Sequence, residues 1–428
     1  VLISVDTMRQ DFLGTDGDPY GTTPVMDRIA RRGALFADAV STTSWTLPSH
    51  MSVLTGQYPE SHGVWDDDRS LPAEKETLAE MLRVRGYATA GFWSGPYLHP
   101  AYGFDQGFDT YEACVNYRIQ LNDEGHITNT GHANMYSRSG VTDPLTGAKV
   151  DAWLADAPTD RPYFLFVHYW DPHADYEAPA PYDRFVDDGY QGRISGHGIM
   201  RNQHIHAGMP EADRRHLMNL YRGEIRWTDW WIGRIVRRLE ERGELDRTLL
   251  IVVADHGEEF FEHGNHGHRL NLHGETLRVP LLVRYPPAFA AGVVAGGPAS
   301  LVDVFPTVAA ALGQPAGEER QGMDLARVAA GAPPGRVVFA ELQGGEMAVR
   351  SPRWKAIVDR RTGDGTLYSL AADPAETRDV RSERADVWRT LITARQRADP
   401  ARFAPEGTEP PVLDPETEAE LRTLGYTE

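Results

Sequence analysis

Four side chains frame the chemistry this sequence can support: Asp6, Thr46, Asp255 and His256. Asp6 closes the apolar run "VLISVD", and Asp255 with His256 closes "TLLIVVADH". Thr46 stands in "TTSWTLPSHMSVLTGQYPESHG", where a polar lead-in and a Thr-Leu-Pro-Ser-His step precede a helix-like stretch. Two carboxylates, an imidazole and a hydroxyl oxygen suit one divalent cation: manganese, zinc or calcium. Coordination lowers the pKa of a bound hydroxyl, which would make Thr46 a nucleophile without a dedicated base. The helix opened by the turn offers its first amides to an anion. Each residue alone has a plainer reading, because strand-end aspartates often cap helices and a threonine before Leu-Pro often marks a turn. Around the four stand His50, Ser94, His173 in "HYWDPH", His263, His266 and His268 in "EHGNHGH", and Arg269.

Something must bring these distant positions together. "VLISVD", "PYFLFVHYWDPH", "RTLLIVVADHGEE" and "RVPLLVRYP" read as buried strands that run into polar residues. "TPVMDRIARRGALF" and "TLAEMLRVRGYATAGFWS" read as helix followed by strand, the second helix stopping at Gly86. Residues 217–242 form a long amphipathic helix by spacing. Alternating strands and helices predict an α/β fold with a large mixed, mostly parallel sheet sandwiched by helices. Its site belongs at the carboxyl ends of the strands, the edge where the polar groups of "VD", "VHYWDPH" and "VVADH" fall. After about Pro333, short strands between Gly and Pro turns and one helix predict a small C-terminal antiparallel sheet. The expected division is therefore 1–332, catalytic, and 333–428, α+β. Residues 184–216, rich in Gly, Asp and His, read as an insertion or lid.

The chain has 428 residues, 41% hydrophobic and 25% charged, with 43 basic and 62 acidic side chains for a net charge of −19. That balance argues against nucleic acid and anionic membranes as partners. A small anionic substrate stays compatible, since a cation can reverse the sign of a pocket. No apolar run approaches the roughly 20 residues that cross a bilayer. The expectation is a soluble chain, cytoplasmic or exported, with compartment and oligomeric state not legible. Cys114 is the sole cysteine and reads as a small buried hydrophobe. Lysine occurs only at Lys75, Lys149 and Lys355.

The ordered motifs "ISVDTMRQDFLG", "TTPVMDRIARRGALFADAV", "TLPSHMSVLTGQYPESHGV", "HYWDPH", "VVADHGEEFFEHG", "LRVPLLVRYP" and "LYSLAADPAETRDV" resemble the sulfatase branch of the alkaline phosphatase superfamily. The resemblance covers nearly the whole chain. It implies the sulfatase-type α/β fold, a metal-dependent hydrolase and a covalent intermediate on the turn residue. By the same resemblance Asp6, Asp255 and His256 are metal ligands, in the Asp-His form of phosphonate monoester hydrolases and lipoteichoic acid synthases. Thr46 falls at the nucleophile position, and His173 at a histidine that contacts the substrate's non-bridging oxygens. His268 or Arg269 falls near a family lysine.

The departures from the family pattern carry equal weight. Sulfatases convert a Cys or Ser at the turn into formylglycine, and threonine cannot give that aldehyde. His50 replaces the arginine of the turn motif. Where the family often has Lys-x-His after a strand like "GYATA", this chain has "FWSGPY", leaving Ser94 as the substrate-binding candidate there. Thr nucleophiles occur in related phosphoglycerol transferases and nucleotide phosphodiesterases. The expectation is therefore a hydrolase of phosphoester, phosphodiester or phosphonate-ester substrates, with Thr46, His173 and His268 catalytic. His50, Ser94, His173, His263, His266 and Arg269 would contact substrate. Two alternatives are a sulfuric ester hydrolase without formylglycine and an inactive binding module. A single ion is expected, although Asp171, Asp175, His263 and His266 are the nearest candidates for a second. The aromatic residues Trp45, Trp93, Tyr97, Tyr102, Tyr169 and Trp170 either pack or bind an apolar or sugar moiety.

Overall fold

The central strands of the large sheet are short apolar segments buried on both faces, the pattern that parallel sheets require. The structure, a computed structural model, describes residues 1–114, 142–186, 189–405, 407–408, 410–415 and 418. In chain order the strands are β1 (Leu2–Val5), β2 (Ala34–Phe36), β3 (Ala88–Trp93), β4 (Thr110–Ala113), β5 (Tyr163–Tyr169), β6 (Leu250–Ala254), β7 (Leu281–Arg284) and β8 (Val293–Ala295). They form one eight-stranded sheet in the order β8-β2-β7-β6-β1-β5-β3-β4. Only β7 runs antiparallel to its neighbours, so the sheet is mixed and mostly parallel. Every side chain of β1, β3 and β6 is buried. Burying one such Val, Leu or Ile is worth about 1.5–3 kcal/mol.

The helices that matter for the site are α1 (Pro24–Arg31), α2 (Thr46–Thr55), α3 (Leu78–Val84), α4 (Asp143–Asp156) and α5 (Glu211–Glu241). Pro24 opens α1, and a Thr77–Glu80 capping box opens α3. Helix α5 has 31 residues and begins at Glu211, earlier than apolar spacing alone indicates. Its polar first turns hide the start, and the expected 184–216 insertion gives up its last residues to it. Asp175, ahead of that insertion, accepts the amides of its Gly198 and Ile199, both at 2.7 Å. Positions 187–188 and most of the stretch after 405 lie outside the described residues.

Beyond the large sheet, β9 (Val338–Glu341), β10 (Glu346–Arg350), β11 (Trp354–Asp359) and β12 (Gly365–Ser369) make a four-stranded antiparallel sheet, followed by α6 (Ala385–Ala398). A separate apolar cluster, with Phe339, Val349, Val358, Leu367 and Leu391, fills the space behind it. Among the described residues no helix is long and apolar enough to cross a membrane.

Candidate active site

The register of the sheet assembles the centre. Val5 pairs with Ala254 on one side and with Tyr169 on the other. The next residue on β1 is Asp6, so it emerges beside Asp255 and Trp170 at one carboxyl edge. The Asp6 amide continues the ladder by donating to the Tyr169 carbonyl at 2.9 Å. Thr46 arrives from elsewhere, as the first residue of α2. Ser41 and Ser49 tie that turn down by donating to the Asp255 carbonyl, Ser49 at 2.7 Å. Helix α2 stops at Gly56, whose φ is +66° and where a Cβ would sit 2.8 Å from Phe305 Cβ.

One oxygen of each carboxylate is held and the other is not. Asp255 Oδ1 accepts the amides of Thr7 and His256, at 3.2 and 2.9 Å. His168 Nε2 donates to Asp6 Oδ2 at 3.2 Å. Asp6 Oδ1 and Asp255 Oδ2 are buried with no hydrogen-bond partner among the described residues. His256 Nδ1 lies 2.9 Å from the Gly257 carbonyl, which can only accept, so the proton sits on Nδ1. Its Nε2 lone pair is thereby turned toward Thr46 Oγ1, 3.2 Å away, and Asp255 Oδ2, 3.3 Å away. Ligand atoms of Asp6, Asp255 and His256 all lie within 4.8 Å of one another.

The electrostatics of the centre suit an added positive charge. Burial pushes the Asp6 and Asp255 carboxyls up to about 7, each also raised by a neighbouring carboxylate. Burial pushes His256 down to about 4. Carboxylates this costly to ionise either stay protonated or take a compensating cation. The residues therefore fit one: two unpartnered carboxylate oxygens, a lone pair of fixed tautomer and a hydroxyl.

Two further imidazoles line the same centre. The His268 ring lies 4.5 Å from that of His256 and 5.1 Å from that of His173. His268 Nδ1 faces the buried Glu258 Oε1 at 3.3 Å, and His173 Nδ1 faces the Ala174 carbonyl at 2.9 Å. Trp170 stacks on His173 with centroids 4.0 Å apart. Gly95 makes room for that indole, since a Cβ there would meet Trp170 at 2.2 Å. Burial drives His268 down to about 3 and His173 well below its ordinary value.

Other candidates stand elsewhere. His50 is fully buried beneath α2, with Nδ1 at 2.9 Å from the Thr46 carbonyl and Nε2 at 2.8 Å from Ser4 Oγ. It bridges the turn to β1 and presents nothing to a substrate. Ser94 is spent on the His168 carbonyl at 3.0 Å. Arg269 lies over the Trp45 indole, 3.9 Å from its centroid, and donates to Tyr97 Oη at 3.1 Å, with Asp66 and Asp67 at 3.7 and 3.6 Å. His266 packs on Phe261 and feels Glu258. His263 points to Glu275 and Glu376. Asp171 caps the start of α4 through Thr142 and Asp143, so with Asp175 capping Gly198 the second-ion candidates do not converge. The six aromatics near the motifs are all buried.

Two contributors escaped sequence reasoning. His168 is the penultimate residue of β5, and its signal is a lone polar residue in an apolar run. Glu258 stands two residues after the Asp-His pair, beyond Gly257, and backs His268. A cavity of about 790 Å³ lies at the opposite edge, lined by Tyr87, Tyr163, Arg247 and Leu312. It is remote from this chemistry.

The mixed α/β sheet with a cation-ready centre at its carboxyl edge defines the class, a sheet-edge metal site beside a helix-borne hydroxyl. The chain belongs to the sulfatase family, whose model, described as Sulfatase, matches residues 1–314. It is 27% identical over 324 residues to the ulvan-active sulfatase of Formosa agariphila, covering 72% of this chain and 60% of that protein. It is 25% identical over 385 residues to the multifunctional alkaline phosphatase superfamily protein PehA of Trinickia caryophylli, covering 73% of each. The chain spans about three fifths of the length of the first curated relatives it matches. The phosphonate monoester hydrolase of Agrobacterium radiobacter superposes with a TM-score of 0.73 at 21% identity, over 93% of this chain and 95% of that one. That likeness establishes the fold.

Proposed function

We propose that the protein hydrolyses phosphoester, phosphodiester or phosphonate-ester substrates with Thr46 as nucleophile. The observation that carries this reading is Thr46 Oγ1 at 3.2 Å from the His256 lone pair, beside two unpartnered carboxylate oxygens. A divalent cation (manganese, zinc or calcium) held by Asp6, Asp255, His256 and Thr46 would acidify the hydroxyl and polarise the ester.

The chain's own groups supply the rest. Thr46 is the first residue of α2 and no side chain caps that helix, so its first amides favour negative charge at the nucleophile. His173 and His268 are kept neutral by burial, and the Ala174 carbonyl, which can only accept, draws the His173 proton to Nδ1. Neutral imidazoles accept protons, so these two rings beside His256 are assigned the Thr46 proton and later that of water. The Thr46 Oγ1–P bond forms as the ester's P–O bond to the leaving group breaks, and the leaving oxygen takes up the proton. Water then cleaves the phosphothreonine and returns a proton to Thr46. The net reaction consumes one water and releases an alcohol and a phosphorus acid.

A second reading, turnover of sulfate esters without formylglycine, is favoured by the names of the relatives. A panel of aryl phosphate, phosphodiester, phosphonate and sulfate esters, run with each metal, separates the two. Phosphothreonine trapped at residue 46 by mass spectrometry is the expected result. Turnover of the sulfate alone defeats the preference for phosphorus.

A further inference from the structure

The loop between Asp255 and Leu281 contains a second constellation, turned away from the cation centre. The His263 and His273 rings stack face to face, 3.6 Å apart and 8° from parallel. His263 Nδ1 faces Glu275 Oε1 at 2.6 Å, and its Nε2 faces the Glu376 carbonyl at 3.2 Å. His273 Nδ1 lies 3.0 Å from Glu376 Oε2. The same carboxylate receives Lys355 Nζ of β11 at 2.8 and 3.0 Å. Lys355 and Glu376 are 1% and 2% exposed. Burial alone would raise Glu376, yet Lys355 and His273 hold it at about 2. The Glu376 backbone adopts φ +54°, a left-handed conformation that a glutamate enters only when its surroundings demand it.

What this network holds is the hairpin that ends at the reacting centre. Glu259–Phe260 pairs with His266–Gly267, and His268 is the next residue. Glu259 Oε1 fixes the turn by accepting the amides of His263 and Asn265, both at 2.8 Å. Thus Glu376 grips the hairpin by its backbone carbonyl on His263 and the hairpin's exit by its carboxylate on His273, with Lys355 fixing that carboxylate. A buried lysine–glutamate pair is a poor source of net stability, since apolar residues of similar volume pack as well. Its use is to fix geometry.

We infer that Lys355 and Glu376 are positioning residues, through which the C-terminal sheet sets where His268 stands against His256 and His173. The inference rests on the reading of Thr46 and His268 as the reacting centre. Glu376→Gln keeps the shape and removes the charge that both Lys355 and His273 answer. With the ester turned over fastest in the panel, kcat is expected to fall about 10- to 100-fold while KM and bound metal stay unchanged. Amide exchange in residues 259–268 quickens, whereas β1 and β6 remain protected. Glu376→Asp restores most of the rate. An unchanged kcat, or hairpin exchange identical to the parent, overturns the proposal. Should Glu376→Gln not fold, Lys355→Met with Glu376→Gln removes both charges together, and full activity in that protein overturns it equally. If no ester in the panel is turned over, the assignment of Thr46 fails, and hairpin exchange alone decides the clamp.

Discussion

At the carboxyl edge of the large sheet, burial pushes Asp6 and Asp255 up to about 7. At the C-terminal sheet, Glu376 is similarly buried and is held at about 2. Both places bring carboxylates together with imidazoles. They differ in one respect: the second carries its own cation, Lys355, while the first leaves Asp6 Oδ1 and Asp255 Oδ2 unpartnered. A fold tolerates a buried carboxylate when it is paired. Two such carboxylates left short of positive charge, with an imidazole lone pair and a hydroxyl beside them, suit a cation.

The sharpest way to test that division is at Thr46. Thr46→Ala should lower turnover by about 1,000-fold or more while leaving metal content unchanged, measured by steady-state rates beside elemental analysis. Turnover close to the parent rate would end the nucleophile assignment.

Next in size is the charge contrast. Lys355→Met strands Glu376 and should cost about 3–5 kcal/mol in urea unfolding. Asp255→Asn, measured on chelated protein, should cost nothing or stabilise, because it removes a charge that lacks compensation. If both substitutions destabilise equally, the two regions are not different in kind.

Metal is the third lever. At a free ion concentration one hundred times its Kd, manganese, zinc or calcium should stabilise the protein by about 2.7 kcal/mol. Calorimetry would read this as a higher Tm, reversed by chelator and absent in Asp255→Asn.

The smallest effect is on pH dependence. Glu376 lies below its ordinary 4.5, so its contribution is present above that value and disappears as pH falls through about 2. Burial alone would lower His263, but the Glu275 hydrogen bond outweighs it and raises the imidazole above 6.5. Its contribution is therefore full below 6.5 and is lost as pH rises through the higher folded value. Tm profiles of Glu376→Gln and Glu275→Gln should flatten at the acid and alkaline ends respectively. A profile unchanged from the parent at either end removes that residue from the network.

Much of the centre is legible because strand ends are. Asp6 and Asp255 each follow an apolar run, and parallel strands deliver such ends to one edge. His168 was not legible, since its partner Asp6 is set by strand neighbours and not by spacing. His263 and His268 are five positions apart in the same His-rich stretch, yet one meets Glu376 and the other His256. A hairpin turn between them reverses direction, and nothing local records which side faces inward. His50 and Ser94 likewise stand at motif positions but spend their hydrogen bonds on Thr46 and His168 backbone carbonyls.

By itself, the order of residues determined the alternation of strands and helices, the edge where polar groups gather and the absence of any route from Thr46 to formylglycine. These follow from local pattern and side-chain chemistry, which need no partner. Tertiary structure alone decided which carboxylate oxygens stay unpaired, which tautomer His256 presents and which histidines reach the centre. Those depend on contacts between positions far apart in the chain, and only folding brings them within a hydrogen bond of one another.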